Sequence, residues 1–272
     1  MIEIRACQGF DELQACVELE VETWGYDPTD LVPKKTFLLA QKVGGQVIGA
    51  FEQGSEARGQ GSEIREQASE PNAGPRMAGF AMAIPGIKNT AAGPKPYLHS
   101  HMLAVKEGYR NQGLGMRLKL EQRREALSRG IRHMEWTFDP LEIKNAYLNI
   151  HRLGAIAREY RPDFYGVSSS RLQGGLPTDR LLAEWELDSD RVRAILDPLP
   201  AVVCDIEERI QVPASIYQWK ASEGDRHRAL AVQLENRERF QKAFQKGLAV
   251  VGYSLDAEGN GVFELGRIEG DA

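Results

Sequence analysis

Apolar and polar positions alternate over Ile2–Cys7, which predicts a first strand. From Asp11 the spacing changes. Leu13, Val17 and Val21 recur at helical intervals, with Asp11 as the cap and Gly25 as the residue that ends the helix. Pro33 to Val43 read as a short helix, with Pro33 in its first position and Gly44 just past its end. Two strands, Gln46–Glu52 and Met77–Ile84, flank Gly54–Arg76, which is rich in Gly, Ser, Glu and Gln. With almost nothing apolar to bury, that stretch is expected to be a mobile hairpin insertion. Ile87–Pro96 is turn-rich and reads as a loop leading into a strand at Tyr97–Val105.

The stretch after that strand organises the chain. A loop with Gly108, Gly113 and Gly115 runs into a helix from about Leu114 to Arg129, closed by Gly130. Strand, glycine loop and helix in that order aim the first free N–H groups of the helix, and the positive end of its dipole, past the strand. That is an anion site, and glycines at 113 and 115 let a phosphate approach the backbone. Arg110 adds a fixed positive charge. From Lys106 to Arg132 there are eight Lys and Arg against three Glu, inside a chain of net charge -5. Some of these are a solvated helix face; Arg110 and Arg117 suit attraction of a phosphorylated ligand. A second match to the loop pattern, Arg267 to Ala272, has no room for a following helix.

Ile131–Phe138 is a neighbouring strand, and Asp139–Gly154 a helix whose Asp139-Pro140-Leu141-Glu142 start reads as a capping box. Ala155–Tyr160 and Leu181–Leu187 are strands joined by a long loop rich in Gly, Ser and Pro. Tyr160, Asp163, Tyr165, Asp179 and Arg180 are its candidates for selecting a substrate. Past Asp190 the chain looks separate. It offers a short helix at Ser189–Leu196, a break at Asp197–Pro200, a strand at Arg209–Val212 and a largely helical Tyr217–Lys246. A hairpin follows, Leu248–Leu255 and Val262–Leu265 around an Asp-Ala-Glu-Gly-Asn-Gly turn. The expected division is a domain over 1–190 and an α+β extension over 191–272, which would cap the main domain or make a homodimer contact.

Composition narrows the class. At 272 residues, 42% hydrophobic and 27% charged, the chain is an ordinary globular one. Its acidic balance argues against a nucleic-acid partner, and no apolar run is long enough for a membrane span. Cys7, Cys16 and Cys204 lack metal spacing and read as reduced thiols, so a cytoplasmic location without a metal is expected. A dinucleotide-binding βαβ unit is excluded, because no G-x-G-x-x-G occurs.

A hydrophobic strand, then Tyr-Arg-Asn-Gln-Gly-Leu-Gly-Met, then a basic helix resembles the coenzyme A loop of the GNAT superfamily of acyl-CoA N-acyltransferases. A strand and an Asn-bearing helix ending near Gly154 extend the likeness, with Asn145 at the matching place. The resemblance implies an α/β (α+β) fold with a mixed, mostly antiparallel central sheet flanked by helices. It implies acyl transfer to the amine of a small molecule or amino acid, with acetyl-CoA as default donor and succinyl-CoA or another acyl-CoA as the alternative. The pantetheine arm would pair with Leu103, Ala104 and Val105. The pyrophosphate would sit on Arg110, Asn111, Gln112, Gly113, Leu114, Gly115 and Met116, and Asn145 would steady the arm.

The acid and base are less clear. By alternation His99 and His101 share a strand face with Tyr97 and Leu103, and an imidazole there can take a proton near neutral pH. The Glu often found near this strand in the family is missing from it. The family's Tyr four residues before the helix-ending Gly is Ile150 here. His101 is therefore the candidate base, and His151, one turn from Tyr147, the candidate acid. These departures keep open a second reading, an acyl-CoA-binding module without catalysis.

Overall fold

The protein is described by a computed structural model over residues 1–53, 76–197 and 204–268. All but Arg76 of the expected insertion at 54–76, most of the break after Asp197 and the end of the second glycine match lie outside the described residues.

The chain begins β1 (Ile2–Ala6), α1 (Gly9–Trp24), α2 (Lys34–Lys42) and β2 (Gln46–Glu52). Then come β3 (Met77–Thr90), β4 (Gly93–Val105), α3 (Leu114–Ser128) and β5 (His133–Phe138). A short α4 (Ile143–Ala146) widens into a π-type turn over Tyr147–Arg152, followed by β6 (Ile156–Arg161) and β7 (Arg180–Glu186). The remainder is α5 (Asp190–Leu196), β8 (Ile206–Val212), α6 (Ile216–Ala221), α7 (Arg226–Gln245), β9 (Ala249–Leu255) and β10 (Gly261–Gly266).

The ten strands among the described residues form one mixed sheet in the order β1-β2-β3-β4-β5-β7-β6-β9-β10-β8. The residues past 190 therefore continue the sheet, through Ala157 of β6 opposite Val250 of β9. They also share its core. Trp136 and Trp185 belong to the same buried cluster as Phe240 and Phe263. Every pairing is antiparallel except that of β4 with β5. Those two run parallel and meet only at Leu98 opposite Met134 and His99 opposite Glu135. Beyond that they part. No helix among the described residues is long and apolar enough to cross a membrane.

A bulge breaks the alternation of β4. Met102 faces Met82 and Ser100 faces Ala83, so His101 has no opposite residue on β3. Ahead of the bulge Leu98 packs in the cluster that contains Ala126 of α3. After it the odd positions turn to α3, where Leu103 and Val105 pack with Leu114 and Leu118. Met102 and Ala104 join Leu13 of α1 and Phe37 of α2 on the other side. The single shared face expected for His99, His101 and Leu103 does not exist.

Three local expectations are corrected. Residues 87–96 are paired strand rather than loop, with Ile87 opposite Pro96 and Asn89 opposite Pro94. β5 meets β4 only at Leu98 and His99, so this length is an edge and tolerates prolines that have no N–H to give. α1 is capped from Gln8, and Glu12 rather than Asp11 accepts the Gln8 N–H, at 2.7 Å. Asp139 opens no helix: its carboxylate accepts the Leu141 N–H at 2.8 Å, while α4 starts after Glu142. The competing partner of Asp139 is Lys220 of α6, 3.0 Å away, which no local pattern announces.

Candidate active site

The loop leaving β4 turns tightly before α3. Arg110 folds back and donates from Nε to the Val105 carbonyl at 3.0 Å, and Gln112 Nε2 donates to the Gly108 carbonyl at 2.9 Å. Asn111 at φ 60 and Gly113 at φ 75 are both left-handed, which reverses the chain onto the helix axis. Gly113 is the N-cap residue of α3 and has no side chain, so the first N–H groups of the helix have no side-chain acceptor. Gly115 is different. Its φ is not positive, and a Cβ there would meet only Leu103, Leu148 and Val105 side chains at 3.7 to 4.0 Å. Neither backbone strain nor crowding within the protein demands a glycine at 115. An anion held against those N–H groups would.

The parting of β4 from β5 opens a cavity of about 400 Å³. Ser100, His101 and Leu103 line one wall, Trp136, Thr137 and Asp139 the other, and Asn145 of α4 the end near the start of α3. The far side is closed by the loop over 162–179, tied to the N-terminal region where Ser169 donates to Asp30 and accepts from the Asp27 N–H. Trp24 and Tyr26, stacked at 5.6 Å, complete that rim.

Charges around the cavity sort into occupied and available. The cleft walls desolvate His101 in part and lower its pKa, with a smaller push from His99, whose ring lies 6.4 Å away, while the side chain itself stays exposed. His101 is therefore an uncharged imidazole near neutral pH and opens into the cavity. Glu135, on the strand beside His99, is spoken for: His133 first, then His99 and Lys88, hold its carboxyl well below the usual range. His133 itself rises to about 9, because hydrogen bonds to Glu135 and Glu186 outweigh burial. Arg180 donates to the Asp179 carbonyl at 2.8 Å and to Gln173 at 3.2 Å, and its guanidinium sits 5.3 Å from the Tyr165 ring centre.

Of the residues singled out in the sequence, His101, Leu103, Asn145, Tyr165 and Arg180 line this cavity. Ala104, Val105 and Arg110–Met116 are not among the lining residues, but Gly115 lies close to Leu103 of the wall and to Val105, whose side chains a Cβ there would meet at 3.7 and 4.0 Å, while Ala104 packs on the opposite face. His151 is elsewhere, its ring stacked on Tyr147 at 4.5 Å, and does not line the cavity. Tyr160, Asp163 and Asp179 brace the loop instead. Asp179 is fully buried, accepting from Tyr160 at 2.7 Å and from Arg237 of α7 at 2.8 and 2.9 Å. Asp163 accepts the Thr178 N–H at 3.1 Å.

Two cavity features escaped the sequence reading. Lys119 of α3 is 2% exposed and reaches the wall of the split, its Nζ 2.7 Å from Ser100 Oγ and 3.6 Å from the Trp136 ring centre. Asp139 and Glu142 share Lys220 at 3.0 and 2.7 Å. A signal for Lys119 was present: the buried stripe of α3, Leu114, Leu118, Gln122 and Ala126, already contains one polar member.

No family model and no curated protein matches this chain. The solved structures it is similar to include acetyltransferases, two of which, from Desulfovibrio desulfuricans and Elizabethkingia anophelis, are of the GNAT family. One is the ribosomal-protein-S18-alanine N-acetyltransferase of Escherichia coli, with 16% identity, 70% of this chain and 96% of that one covered, and a TM-score of 0.47. Another is Arabidopsis thaliana NAA60 in complex with a bisubstrate analogue, with 15% identity, coverage of 68% and 98%, and a TM-score of 0.47. A third is yncA, a putative acetyltransferase from Salmonella typhimurium with its cofactor acetyl-CoA, with 15% identity, coverage of 70% and 95%, and a TM-score of 0.45. Likeness of this size does not fix a chemistry; the functional reading rests on the loop and the cleft.

Proposed function

We propose that the protein transfers an acyl group, acetyl by default, from acyl-CoA to the amine of a small molecule or amino acid. The observation that carries this is the adjacency of two features. The uncapped start of α3 opens beside the end of β4, where the departure of β5 leaves a strand edge facing a cavity that holds His101. The loop over Arg110–Met116 would take the pyrophosphate through the α3 N–H groups and dipole. The pantetheine arm would run along Leu103, Ala104 and Val105, with Asn145 beside it, and bring the thioester to His101.

Amine attack on a thioester requires an uncharged amine, and an imidazole held below its ordinary pKa is unprotonated near neutral pH and so free to accept the amine's proton as the new bond forms. Arg180, with two of its five N–H groups used inside the protein, and Tyr165 would hold the acceptor on the far side of the carbonyl. His151 has no part in this reading.

Calorimetry with acetyl-CoA, succinyl-CoA and free coenzyme A tests it, on the native chain and on Gly115→Val. Micromolar binding that Gly115→Val weakens at least about 100-fold is expected, since the added side chain fills the place of the phosphate. Gly113→Val is the poorer variant, because its φ of 75 strains any branched residue. Equal affinity for Gly115→Val would remove the loop from the site.

A further inference from the structure

Lys119 and Ser100 have geometry that the proton transfer at His101 does not use. Both line the cavity, and both are buried, at 2% and 5% exposed. Their Nζ and Oγ atoms are 2.7 Å apart. No carboxylate pairs with Lys119 among the described residues, and its other neighbour is the face of Trp136. Burial alone pulls its pKa well below the ordinary value of 10.5, toward the free amine.

The third member of the group fixes the direction of the hydrogen bonds. Gln122 Oε1 lies 3.0 Å from Ser100 Oγ, while Gln122 Nε2 is buried with no partner. Turning that amide about its last bond makes Nε2 the donor to Ser100 Oγ and puts the acceptor Oε1 in the unpartnered place. The Ser100 proton is then free to point at Lys119 Nζ, whose lone pair accepts it. A hydroxyl within hydrogen-bond reach of an uncharged amine, itself held by a third group, is the arrangement of an activated nucleophile. Here Trp136 holds the amine and Gln122 holds the hydroxyl.

Resting on the acyl-CoA reading above, we infer that Ser100 is an acyl-accepting nucleophile with Lys119 as its base, so that the site also hydrolyses acyl thioesters when no amine is bound. In the first half Ser100 Oγ attacks the thioester carbonyl and gives its proton to Lys119. The Oγ–C bond forms, the C–S bond breaks, and the thiolate leaves as a thiol with the proton that Lys119 took. That return step supplies an acid which Ile150 cannot. In the second half an amine, relieved of its proton by His101, or a water attacks the ester. The attacking amine or water gives its remaining proton to Lys119, the Oγ–C bond breaks, and Lys119 passes that proton to Ser100 Oγ.

The test is to mix the full chain with acetyl-CoA and no amine, quench in acid, and map the modified peptide by mass spectrometry. Released thiol is followed in parallel, and calorimetry on the same preparation reports binding. Expected is one acetyl group on Ser100, removed by hydroxylamine, with slow continued thiol release. Ser100→Ala and Lys119→Met should each lower that release about 10²–10⁴-fold with acetyl-CoA affinity kept. Ser100→Cys, which keeps a nucleophile of similar size, should accumulate a thioester. An acetyl group on Lys119 that resists hydroxylamine would overturn the assignment of the nucleophile. So would bound acetyl-CoA with no adduct on either the native chain or Ser100→Cys. Absence of acetyl-CoA binding would instead overturn the acyl-CoA reading, and this inference with it.

Discussion

Two lysines are buried at this site and they are opposites. Lys220 is 6% exposed and sits between the carboxylates of Asp139 and Glu142. Burial works against its charge, but the two anions outweigh it and raise its pKa. Lys119 is 2% exposed and has a hydroxyl and an indole face for company, and burial lowers its pKa with no carboxylate beside it among the described residues to oppose the shift. The same side chain is thus a structural cation in one place and a desolvated amine in the other. What separates them is the partner set rather than the depth of burial. The first ties α6 to the end of β5. The second has chemistry to spare.

The largest break of this contrast is Lys220→Met. It leaves two carboxylates beside an apolar stem, and urea unfolding should show a loss of about 3–5 kcal/mol, toward the low end because Glu142 keeps some contact with water. A loss under about 1 kcal/mol would mean that the cluster does not hold its charges as described.

The next is a pair of pH slopes. A lysine whose folded pKa is lowered binds fewer protons folded than unfolded, so its stability contribution grows as pH rises toward 10.5. A lysine whose folded pKa is raised contributes fully below 10.5 and loses that contribution only as pH climbs through the folded value. Between about pH 7 and about pH 10, the native chain should gain on Lys119→Met, by at most about 1.4 kcal/mol per pH unit. Its gap to Lys220→Met should stay flat. Parallel slopes from thermal melts in matched buffers would erase the distinction.

The smallest loss is that of Lys119→Met at neutral pH. Methionine replaces the buried stem, orphans no charge and lifts the cost of stripping the amine's proton on folding, so any loss should stay under about 1 kcal/mol and a gain is expected. A larger loss would show that the amine is a structural cation after all. Small stability cost together with lost thiol release would sharpen the contrast most.

Much of the frame was legible because it is local. β2 was read residue for residue, and the β9–β10 hairpin nearly so, from alternation and a turn-forming sextet. The glycine loop and α3 were found from composition and order alone. What escaped depends on distant partners. Asp139 followed by Pro140 looks like a cap until Lys220, far along the chain, is brought to it. The prolines at 94 and 96 read as breakers until β5 is seen to meet β4 only at Leu98 and His99. His101 was singled out for its chemistry and does line the cavity, while His151 carried an equal signal and does not. No periodicity distinguishes a histidine at a cleft from one stacked on a tyrosine. Lys119 falls in the same charged run as the arginines of α3, and nothing in the local pattern separates it from them; the indole of Trp136 does.

The unpaired residue at His101 gives β4 something like two reading frames. Upstream the even residues Leu98 and Ser100 belong to α3; downstream the odd residues Leu103 and Val105 do. Deleting His101 would leave a single frame. Met102 would follow Ser100 directly, each still opposite its own partner on β3, and Leu103 and Val105 would keep their place against α3. The two cores would survive the loss; the step in the strand that carries an imidazole to the cleft would not.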